Sequence, residues 1–136
     1  MVAAEQRPYS ILITDDDSSC REALREIVEP QGYQTYLASS GEEAVEIVRF
    51  HVVHAVLLDM HMPTLTGLDT MRLVRQIREP LPCILVTADA TDGLIRQALN
   101  DHAYSVIPKP VNKHLVLHTV VRALNRYHES GPSSST

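Results

Sequence analysis

The sequence has little positive charge, no long apolar segment and few cysteines. It carries 12 lysine and arginine residues against 17 acidic residues, which gives a net charge of −5. Nucleic-acid binding normally uses clustered basic side chains against phosphates, so this composition argues against it. No apolar run approaches the roughly 20 residues of a membrane span, and residues 1–8 lack the apolar core of a signal peptide.

Cysteine and glycine are also scarce, and each scarcity bears on a class of site. Cys20 and Cys83 lie far apart in sequence, which favours two reduced, buried thiols, with one disulfide as the alternative. Reduced thiols and the missing signal peptide together indicate a cytoplasmic location. The five glycines do not form a phosphate-binding loop, so nucleotide binding has no support.

What the chain does have is a regular alternation of strand and helix patterns. Its 136 residues and its 44% share of hydrophobic residues are those of one globular domain. Apolar runs bounded by turn residues predict five strands, at residues 9–14, 33–38, 54–59, 83–87 and 104–107. Each strand pattern is followed by an amphipathic helical pattern.

Five alternations of strand and helix predict a doubly wound α/β fold, since parallel strands need crossover connections and helices must cover both faces of the sheet. Fold priors favour a flavodoxin-like, five-stranded parallel sheet with strand order 2-1-3-4-5 and five helices. The domain should span residues 9–128, with 1–8 as a flexible leader and 129–136 as a disordered tail or the start of a linker. Pro108 cannot donate to a strand ladder, so the fifth strand is expected at an edge.

Spacings of polar residues predict where the helices begin. Three pairs have the capping-box spacing: Ser19 with Glu22, Ser40 with Glu43, and Thr66 with Asp69. Asn112 is expected to cap the last helix. On the predicted inner faces, the helical period includes Leu99 in the fourth helix and Val121 in the fifth.

Polar side chains follow four of the five predicted strands. Asp15 and Asp16 follow the first strand, Asp59 ends the third, Thr87 ends the fourth, and Lys109 comes shortly after the fifth. The carboxyl ends of parallel strands share one edge of the sheet, and ligands bind there, where the winding direction switches. In the order 2-1-3-4-5 that switch lies between strands one and three, which deliver the three aspartates.

Three converging carboxylates require a counter-charge. Two unit charges 4 Å apart repel by about 4 kcal/mol at an effective dielectric constant near 20, so either one carboxylate is protonated or a cation binds. Oxygen ligands favour Mg2+ or Mn2+ over zinc. Lys109 supplies one positive charge and Thr87 one hydroxyl, and both suit the oxygens of a phosphoryl group in transfer.

Taken in order, these motifs resemble the receiver domain of two-component response regulators. The resemblance covers about residues 9–126 and rests on four stretches: Asp15-Asp16, residues 57–63 with Gly67, Val86-Thr87-Ala88, and Lys109-Pro110. Each stretch alone is weak, whereas all four at the strand ends of one α/β pattern are a strong signal. The resemblance implies a phosphorylation switch, which is not an enzyme in the ordinary sense although it promotes its own phosphorylation and dephosphorylation.

The resemblance also implies roles for the site residues. Asp59 would accept a phosphoryl group from a phosphohistidine on a sensor histidine kinase or phosphotransfer protein. Asp16, Asp59 and the backbone carbonyl of His61 would hold Mg2+, with Asp15 acting largely through water. Lys109 would pair with the acyl phosphate, and its peptide bond to the following proline is typically cis in this family.

Switching is implied to start at Thr87, which would turn inward to bind a phosphate oxygen. This movement would shift the loop after the fourth strand and the surface of the fourth helix and fifth strand. The face made by the fourth helix, fifth strand and fifth helix could form a homodimer. Val106 stands where receivers commonly carry an aromatic switch residue, so the usual coupled movement of a ring is in question. Tyr104 is not assigned that role, and His102 stands where a glycine is usual. The output partner or domain is unknown, and the chain is either a stand-alone regulator or a receiver from a longer protein.

Two residues beside the acceptor vary within this family and tune the lifetime of the phosphate. They are His61, two residues after Asp59, and Asp89, two residues after Thr87. We hypothesise that the Asp89 carboxylate helps to orient the attacking water.

Alternative interpretations use the same residues differently. A phosphatase of the haloacid dehalogenase type also uses an aspartate after a strand, but it needs a second aspartate where this chain has His61. A phosphorylation-independent interaction module on a receiver fold is disfavoured by the intact site and kept open by Val106. His114 and His118 have a metal-ligand spacing on one helix, but no third ligand is evident, which favours surface histidines.

Overall fold

The structure, a computed structural model, describes residues 9–129 as a five-stranded parallel sheet with helices on both faces. The strands are β1 (Ser10–Thr14), β2 (Gln34–Ala38), β3 (Ala55–Asp59), β4 (Cys83–Thr87) and β5 (Ser105–Pro108). The α-helices are α1 (Ser18–Val28), α2 (Gly41–Phe50), α3 (Gly67–Ile77), α4 (Asp92–Asn100) and α5 (Lys113–Leu124). A 3-10 turn (Glu29–Gln31) follows α1, and a π-helical turn (Asn125–Glu129) follows α5.

The strand order β2-β1-β3-β4-β5 confirms the predicted fold. The predicted strands were one residue too long at their start in β1, β2 and β3, whereas β4 has the predicted bounds. The predicted leader, residues 1–8, and residues 130–136 of the predicted tail lie outside the described residues.

Both faces of the sheet are apolar, and helices cover each of them. β1 pairs with β2 on one side and with β3 on the other. Alternate strand residues point to opposite faces: Leu12 and Leu58 pack with residues of α2, α3 and α4, whereas Ile13 and Leu57 pack with residues of α1 and α5. Each fully buried side chain of this size contributes roughly 1.5–3 kcal/mol, so the two-sided core holds the register that places the strand ends.

Two of the three predicted capping pairs lie at the start of a helix. Thr66 and Asp69 form a reciprocal capping box at α3. At α2 the Ser40 hydroxyl accepts from the Glu43 N–H at 3.1 Å, but the Glu43 carboxylate accepts from the N–H and the hydroxyl of Ser39, at 2.7 and 3.0 Å. The cap of α2 is therefore confirmed, while the second half of its box is wrong because Ser39 offers two donors to one carboxylate.

The predicted capping pair of α1 is wrong. Asp17 is the N-cap, and its carboxylate accepts from the Ser19 N–H at 2.9 Å. An ionised carboxylate is a stronger acceptor than a hydroxyl and is favoured at the positive end of the helix dipole, so Asp17 takes the cap two residues earlier. Hydrogen bonds from Ser19 lower the pKa of Asp17. Asn112 caps α5 as predicted.

Two residues predicted on inner helix faces are exposed. Leu99 in α4 is 48% exposed and Val121 in α5 is 42% exposed. Each follows a fully buried residue, Ala98 or Val120, and consecutive helical residues point about 100° apart. When the buried residue points to the sheet, its neighbour turns away. Within residues 9–129, none of the helices combines the length and apolar character needed to cross a membrane.

The two cysteines are free thiols, which confirms the prediction over the disulfide alternative. Cys83 is buried, and burial raises the pKa of its thiol to about 12. Cys20 is only partly buried, so the expectation of two buried thiols is wrong for this one, which lies in the first turn of α1. Burial also raises the pKa of Cys20.

β5 lies at the edge of the sheet, as Pro108 predicted. Pro108 is the last residue of the strand and is in register with Thr87 of β4. Before β5, His102 has a φ of 75°. This value lies in the left-handed region that favours glycine, which explains why receiver domains usually have a glycine at this position. The peptide between Lys109 and Pro110 is cis, as the resemblance implied.

Gly67 lets α3 begin directly against the end of β3. Its N–H donates to the Met60 carbonyl at 2.9 Å. A Cβ at this position would lie 2.5 Å from the Asp59 carbonyl oxygen and 2.8 Å from Met60 Cα. Because both neighbours are backbone atoms, they cannot turn aside as a side chain could, and only glycine fits.

We expect Gly67→Ala to lower the free energy of unfolding by roughly 1–3 kcal/mol, the usual cost of overpacking. The added methyl group must push α3 away from the end of β3. Chemical denaturation followed by circular dichroism measures the change. Gly93→Ala in α4 is the matched control, because a Cβ there meets nothing within 4 Å, and it should be neutral or stabilising by up to about 1 kcal/mol. Equal losses in both variants would contradict the close approach at Gly67.

Candidate functional site

Three charged side chains meet at the carboxyl edge of the sheet. Asp15 follows β1, Asp59 ends β3, and Lys109 follows β5. The Lys109 ammonium lies 3.1 Å from Asp15 Oδ2 and 3.1 Å from Asp59 Oδ1. The side chains of Asp15, Asp59 and Lys109 are 1%, 7% and 18% exposed. The lysine therefore bridges two strand ends that are neighbours in the sheet but far apart in sequence.

Asp15 is held in one orientation by its neighbours. Its N–H donates to the carbonyl of Ala38, at the end of β2, at 3.1 Å. Its Oδ1 accepts from the Asp17 N–H at 2.9 Å, and its Oδ2 accepts from Lys109. Hydrogen bonds thus join the loop after β1 to β2, to a backbone N–H of the same loop and to Lys109 after β5.

The acidic side chains form a group that could hold a metal ion. One oxygen from each of Asp15, Asp16 and Asp59 lies within 4.8 Å of the others. Asp16 is exposed whereas the other two are buried. Three ionised carboxylates and the Lys109 ammonium would leave two negative charges uncompensated, and an all-oxygen donor set suits a hard divalent cation. The residues therefore fit the predicted kind of cation.

Burial and mutual contact shift the pKa values of this site. Burial raises the pKa of Asp59, and the charge of Asp15 raises it further, whereas Lys109 and the His61 N–H offset part of the shift. Burial alone would lower the pKa of Lys109, but its hydrogen bonds and charge interactions with Asp15 and Asp59 outweigh that effect and raise it. Lys109 is therefore firmly protonated, while the ionised form of Asp59 is disfavoured by folding.

Thr87 ends β4, the strand next to β3, and its hydroxyl holds the following loop. The side chain is buried, and Oγ1 accepts from the Asp89 N–H at 3.0 Å. The Thr87 carbonyl accepts from the Lys109 N–H at 2.8 Å. The Asp89 carbonyl accepts from the Thr91 N–H at 2.9 Å, and the Thr91 side chain caps α4. A series of hydrogen bonds thus leads from Thr87 to the first turn of α4.

Val106 and Tyr104 pack on opposite sides of the sheet. Val106 is partly buried against the cluster beneath α2, α3 and α4, whereas Tyr104 packs against the cluster beneath α1 and α5. The tyrosine ring also contacts Tyr127 edge-on, with ring centroids 6.2 Å apart. Tyr104 precedes β5 and so does not follow the strand alternation that would put it on the side of Val106. It cannot stand in for the missing aromatic ring.

The histidines named from the sequence lie outside the acidic group. His114 and His118 are exposed on α5, in agreement with surface histidines. The His61 side chain is exposed too, and its backbone N–H contributes a hydrogen bond to Asp59. The role of its carbonyl as a metal ligand stays a prediction.

Three contacts that shape the site had little or no signal in the sequence. The Asp17 N–H donates to Asp15 and the Asp89 N–H donates to Thr87. These are backbone donors, whose direction depends on turn geometry and not on residue type. The third is a 2.7 Å hydrogen bond from Arg21 to the Asp15 carbonyl. A partial indication of this contact is present in the sequence, which has an arginine in the first helical turn after a pair of acidic residues.

Comparisons with known proteins agree on one family. A family model described as the response regulator receiver domain matches residues 11–121. Response regulator MprA of Mycobacterium sp. (strain KMS) is 34% identical over 128 residues, which cover 93% of this chain and 56% of that protein. MprA of Mycobacterium leprae (strain TN) is 37% identical over 100 residues, which cover 74% of this chain and 44% of that protein. The chain spans about half the length of the curated relatives it matches.

Solved structures share the fold. A CheY-like response regulator receiver domain protein from Methanospirillum hungatei JF-1 is 26% identical with a TM-score of 0.85, over 92% of this chain and 100% of that one. The complex of CheX with CheY, BeF3 and Mg2+ from Borrelia burgdorferi matches with 26% identity and a TM-score of 0.83, over 88% of this chain and 91% of that one.

We expect Asp59→Asn to stabilise the metal-free protein at pH 7. Burial raises the pKa of Asp59 above its value in the unfolded chain, so native stability falls as the pH rises from the unfolded value to the raised one. The gain from Asp59→Asn should be absent below about pH 4, the ordinary carboxyl value, should grow between that pH and the raised pKa, and should stay constant above it. Thermal unfolding from pH 3.5 to pH 7, each pH in the same metal-free buffer, measures it. A gain of the same size at both ends of this range would contradict the linkage.

Proposed function

The chain belongs to the response regulator receiver domain family, and we propose on this premise that Asp59 is its phosphoacceptor. Phosphorylation-based switching is the general function of the family, which is not one of classical enzymes. The observation that carries the proposal is the Lys109 ammonium, 3.1 Å from the carboxylates of both Asp59 and Asp15. The donor would be a phosphohistidine on a sensor histidine kinase or phosphotransfer protein.

In this reaction an Asp59 oxygen forms a bond to phosphorus while the bond from phosphorus to the histidine nitrogen breaks. The nitrogen keeps the electron pair of the broken bond. Asp59 must be ionised to attack, and the hydrogen bond from Lys109 favours that form. Lys109 then pairs with the negative charge that passes to the acyl phosphate. In this way the chain would promote its own phosphorylation and, with water as the attacking group, its dephosphorylation.

The cation we propose is Mg2+, with Mn2+ as the alternative. Asp16, Asp59 and the His61 carbonyl would hold it directly, and Asp15 would act through water. The group of three carboxylates supports this choice, as does the Mg2+ named with the similar Borrelia complex. When bound, the ion neutralises charge on the phosphoryl oxygens.

The switch we propose begins at Thr87. Thr87 would turn inward to donate its hydroxyl proton to a phosphoryl oxygen, and this rotation would move Oγ1 away from the Asp89 N–H that it now accepts from, which would free the loop before α4. Because Thr91 in this loop caps α4, the start of the helix would move with it. This route uses backbone hydrogen bonds and needs no aromatic ring in place of Val106. It would change the face formed by α4, β5 and α5, where an output domain, an output protein or a second copy of the chain would bind.

A phosphorylation-independent interaction module is the second candidate, and Val106 is the residue that favours it. The family match favours the switch over the aspartyl phosphatase. We also propose a cytoplasmic location, which the two free thiols support. The absence of direct nucleic-acid binding by this domain stays a prediction from its acidic composition.

Incubation with Mg2+ and acetyl phosphate should add one phosphoryl group to the native protein, seen by intact mass. Asp59→Asn should abolish the gain, because the nucleophilic oxygen is replaced by an amide, and EDTA should prevent it. Glu26→Gln, an exposed carboxylate on α1, is the control and should behave as the native protein does. A native protein that gains no phosphate would count against the proposed function, and an unchanged gain in Asp59→Asn would place the phosphate elsewhere.

Asp89→Ala should lengthen the half-life of the acyl phosphate several-fold, because the carboxylate that orients the attacking water is lost. The substitution keeps the Asp89 backbone N–H that holds Thr87, so the loop retains its hydrogen bond. Loss of the mass gain with time after removal of acetyl phosphate gives the half-life. An unchanged half-life would contradict the proposal that the Asp89 carboxylate orients the attacking water.

A further inference from the structure

We propose that Arg21 is a positioning residue for the acid pair: its guanidinium holds the Asp15–Asp16 peptide in the orientation that directs both carboxylates to the cation. This inference rests on the proposed function. The contact is a 2.7 Å hydrogen bond from Arg21 Nη1 to the Asp15 carbonyl. Arg21 is partly buried, and its own N–H donates to the Asp17 carbonyl at 3.0 Å. One residue of α1 thus binds the loop through both its backbone and its side chain.

The clamped carbonyl belongs to the peptide that joins the two acids. The Asp15 N–H already donates to the Ala38 carbonyl, and the Asp15 carboxylate already accepts from Asp17 and Lys109. The Asp15 carbonyl is the remaining polar group, and a peptide unit is planar, so holding this oxygen also fixes the N–H of Asp16. The next peptide is held by the hydrogen bond from the Asp17 N–H to Asp15 Oδ1, so both peptide planes beside Asp16 are held, and together they set the direction in which its side chain leaves the backbone.

Asp16 needs this help because its carboxylate is exposed. Asp15 is buried among partners, whereas Asp16 lies on the solvent side of the acidic group. Repulsion from Asp15 and Asp59 would favour turning Asp16 outward if its backbone were free to rotate. The clamp opposes that rotation without occupying a carboxylate oxygen, so all three acids stay available as ligands.

The guanidinium suits this role because it is always charged and makes a strong, directional hydrogen bond. No ion pair among the described residues involves Arg21. Arg25, one helical turn later, pairs instead with Glu22 at 2.6 Å and Glu29 at 2.8 Å. It shares the helix, the residue type and partial burial with Arg21, but its side-chain hydrogen bonds and ion pairs among residues 9–129 go to Glu22 and Glu29, which makes it a matched control.

The test is a Mg2+ titration of the full chain without any phosphodonor. The chain has no tryptophan, so calorimetry and amide NMR are suitable methods. Arg21→Ala should weaken Mg2+ binding about 10–100-fold, the usual effect of losing a partner that orients metal ligands. Arg21→Lys, which keeps the charge and one donor, should recover part of the affinity. Arg25→Ala should leave the Mg2+ affinity unchanged while lowering the melting temperature.

If Arg21 had a purely structural role, Arg21→Ala would change the stability of the protein and leave its Mg2+ affinity unchanged. If Arg21→Ala lowers the melting temperature but binds Mg2+ as the native protein does, the proposal is overturned. If Arg21→Ala fails to fold, Arg21→Lys decides: weakened Mg2+ binding at native stability supports the proposal, and unchanged binding overturns it.

A metal-free measurement separates this inference from the proposed function. Hydrogen exchange of the Asp17 N–H reports on its bond to Asp15, and it should be faster in Arg21→Ala than in Arg25→Ala. If the native protein binds no Mg2+ at millimolar concentration, the proposed Mg2+ site is contradicted. In that case equal exchange rates in the two variants would also overturn the contact of Arg21 with the acid pair, whereas faster exchange in Arg21→Ala alone would uphold that contact and overturn only its role towards the cation.

Discussion

The paired contact of Lys109 with Asp15 and Asp59 is the interaction on which the rest of the site depends. Two carboxylates taken from water into one crevice cost several kcal/mol each in desolvation and repel each other. An ammonium 3.1 Å from both makes this arrangement tolerable. It does so incompletely, because the pKa of Asp59 is still raised. The site is therefore short of positive charge, which is the physical basis for the proposed Mg2+; the bound ion would in turn supply the positive charge that a phosphoryl group needs.

The fold is what brings these charges together. Parallel pairing of β1 with β3 puts Asp15 and Asp59 at the same edge, and Lys109 reaches them from beyond β4. Gly67 lets α3 start against the Asp59 carbonyl, so the loop that carries His61 is short and closely held. The apolar faces under the five helices then hold the strands in register. A shift of one residue in any of these strands would move its polar end away from the crevice.

The proposed switch takes a route that the exceptional Val106 does not interrupt. In this structure the Thr87 hydroxyl is bonded to the Asp89 N–H, and the loop continues by hydrogen bonds to the cap of α4. An inward rotation of Thr87 towards a phosphoryl group would carry this hydroxyl away from the Asp89 N–H. The loss of that hydrogen bond would couple the site to α4, with the side chain at position 106 serving mainly as packing.

The sequence by itself determined the alternation of five strands and five helices, the positions of the strand-end polar residues and most helix caps, because apolar runs and short-range caps are local patterns; the strand order came from fold priors. It assigned a capping box to Ser19 and Glu22 at α1 that does not form, although capping was one of the two roles expected of Asp17, the N-cap that the structure has. It also placed Leu99 and Val121 on inner faces, although both are exposed, because the rotation of a helix depends on its packing against the sheet. Only the tertiary structure decided which donors reach Asp15, that Thr87 holds Asp89, and on which side Tyr104 packs. These depend on turn directions and on distances between segments remote in sequence, and a residue pattern does not encode either of them.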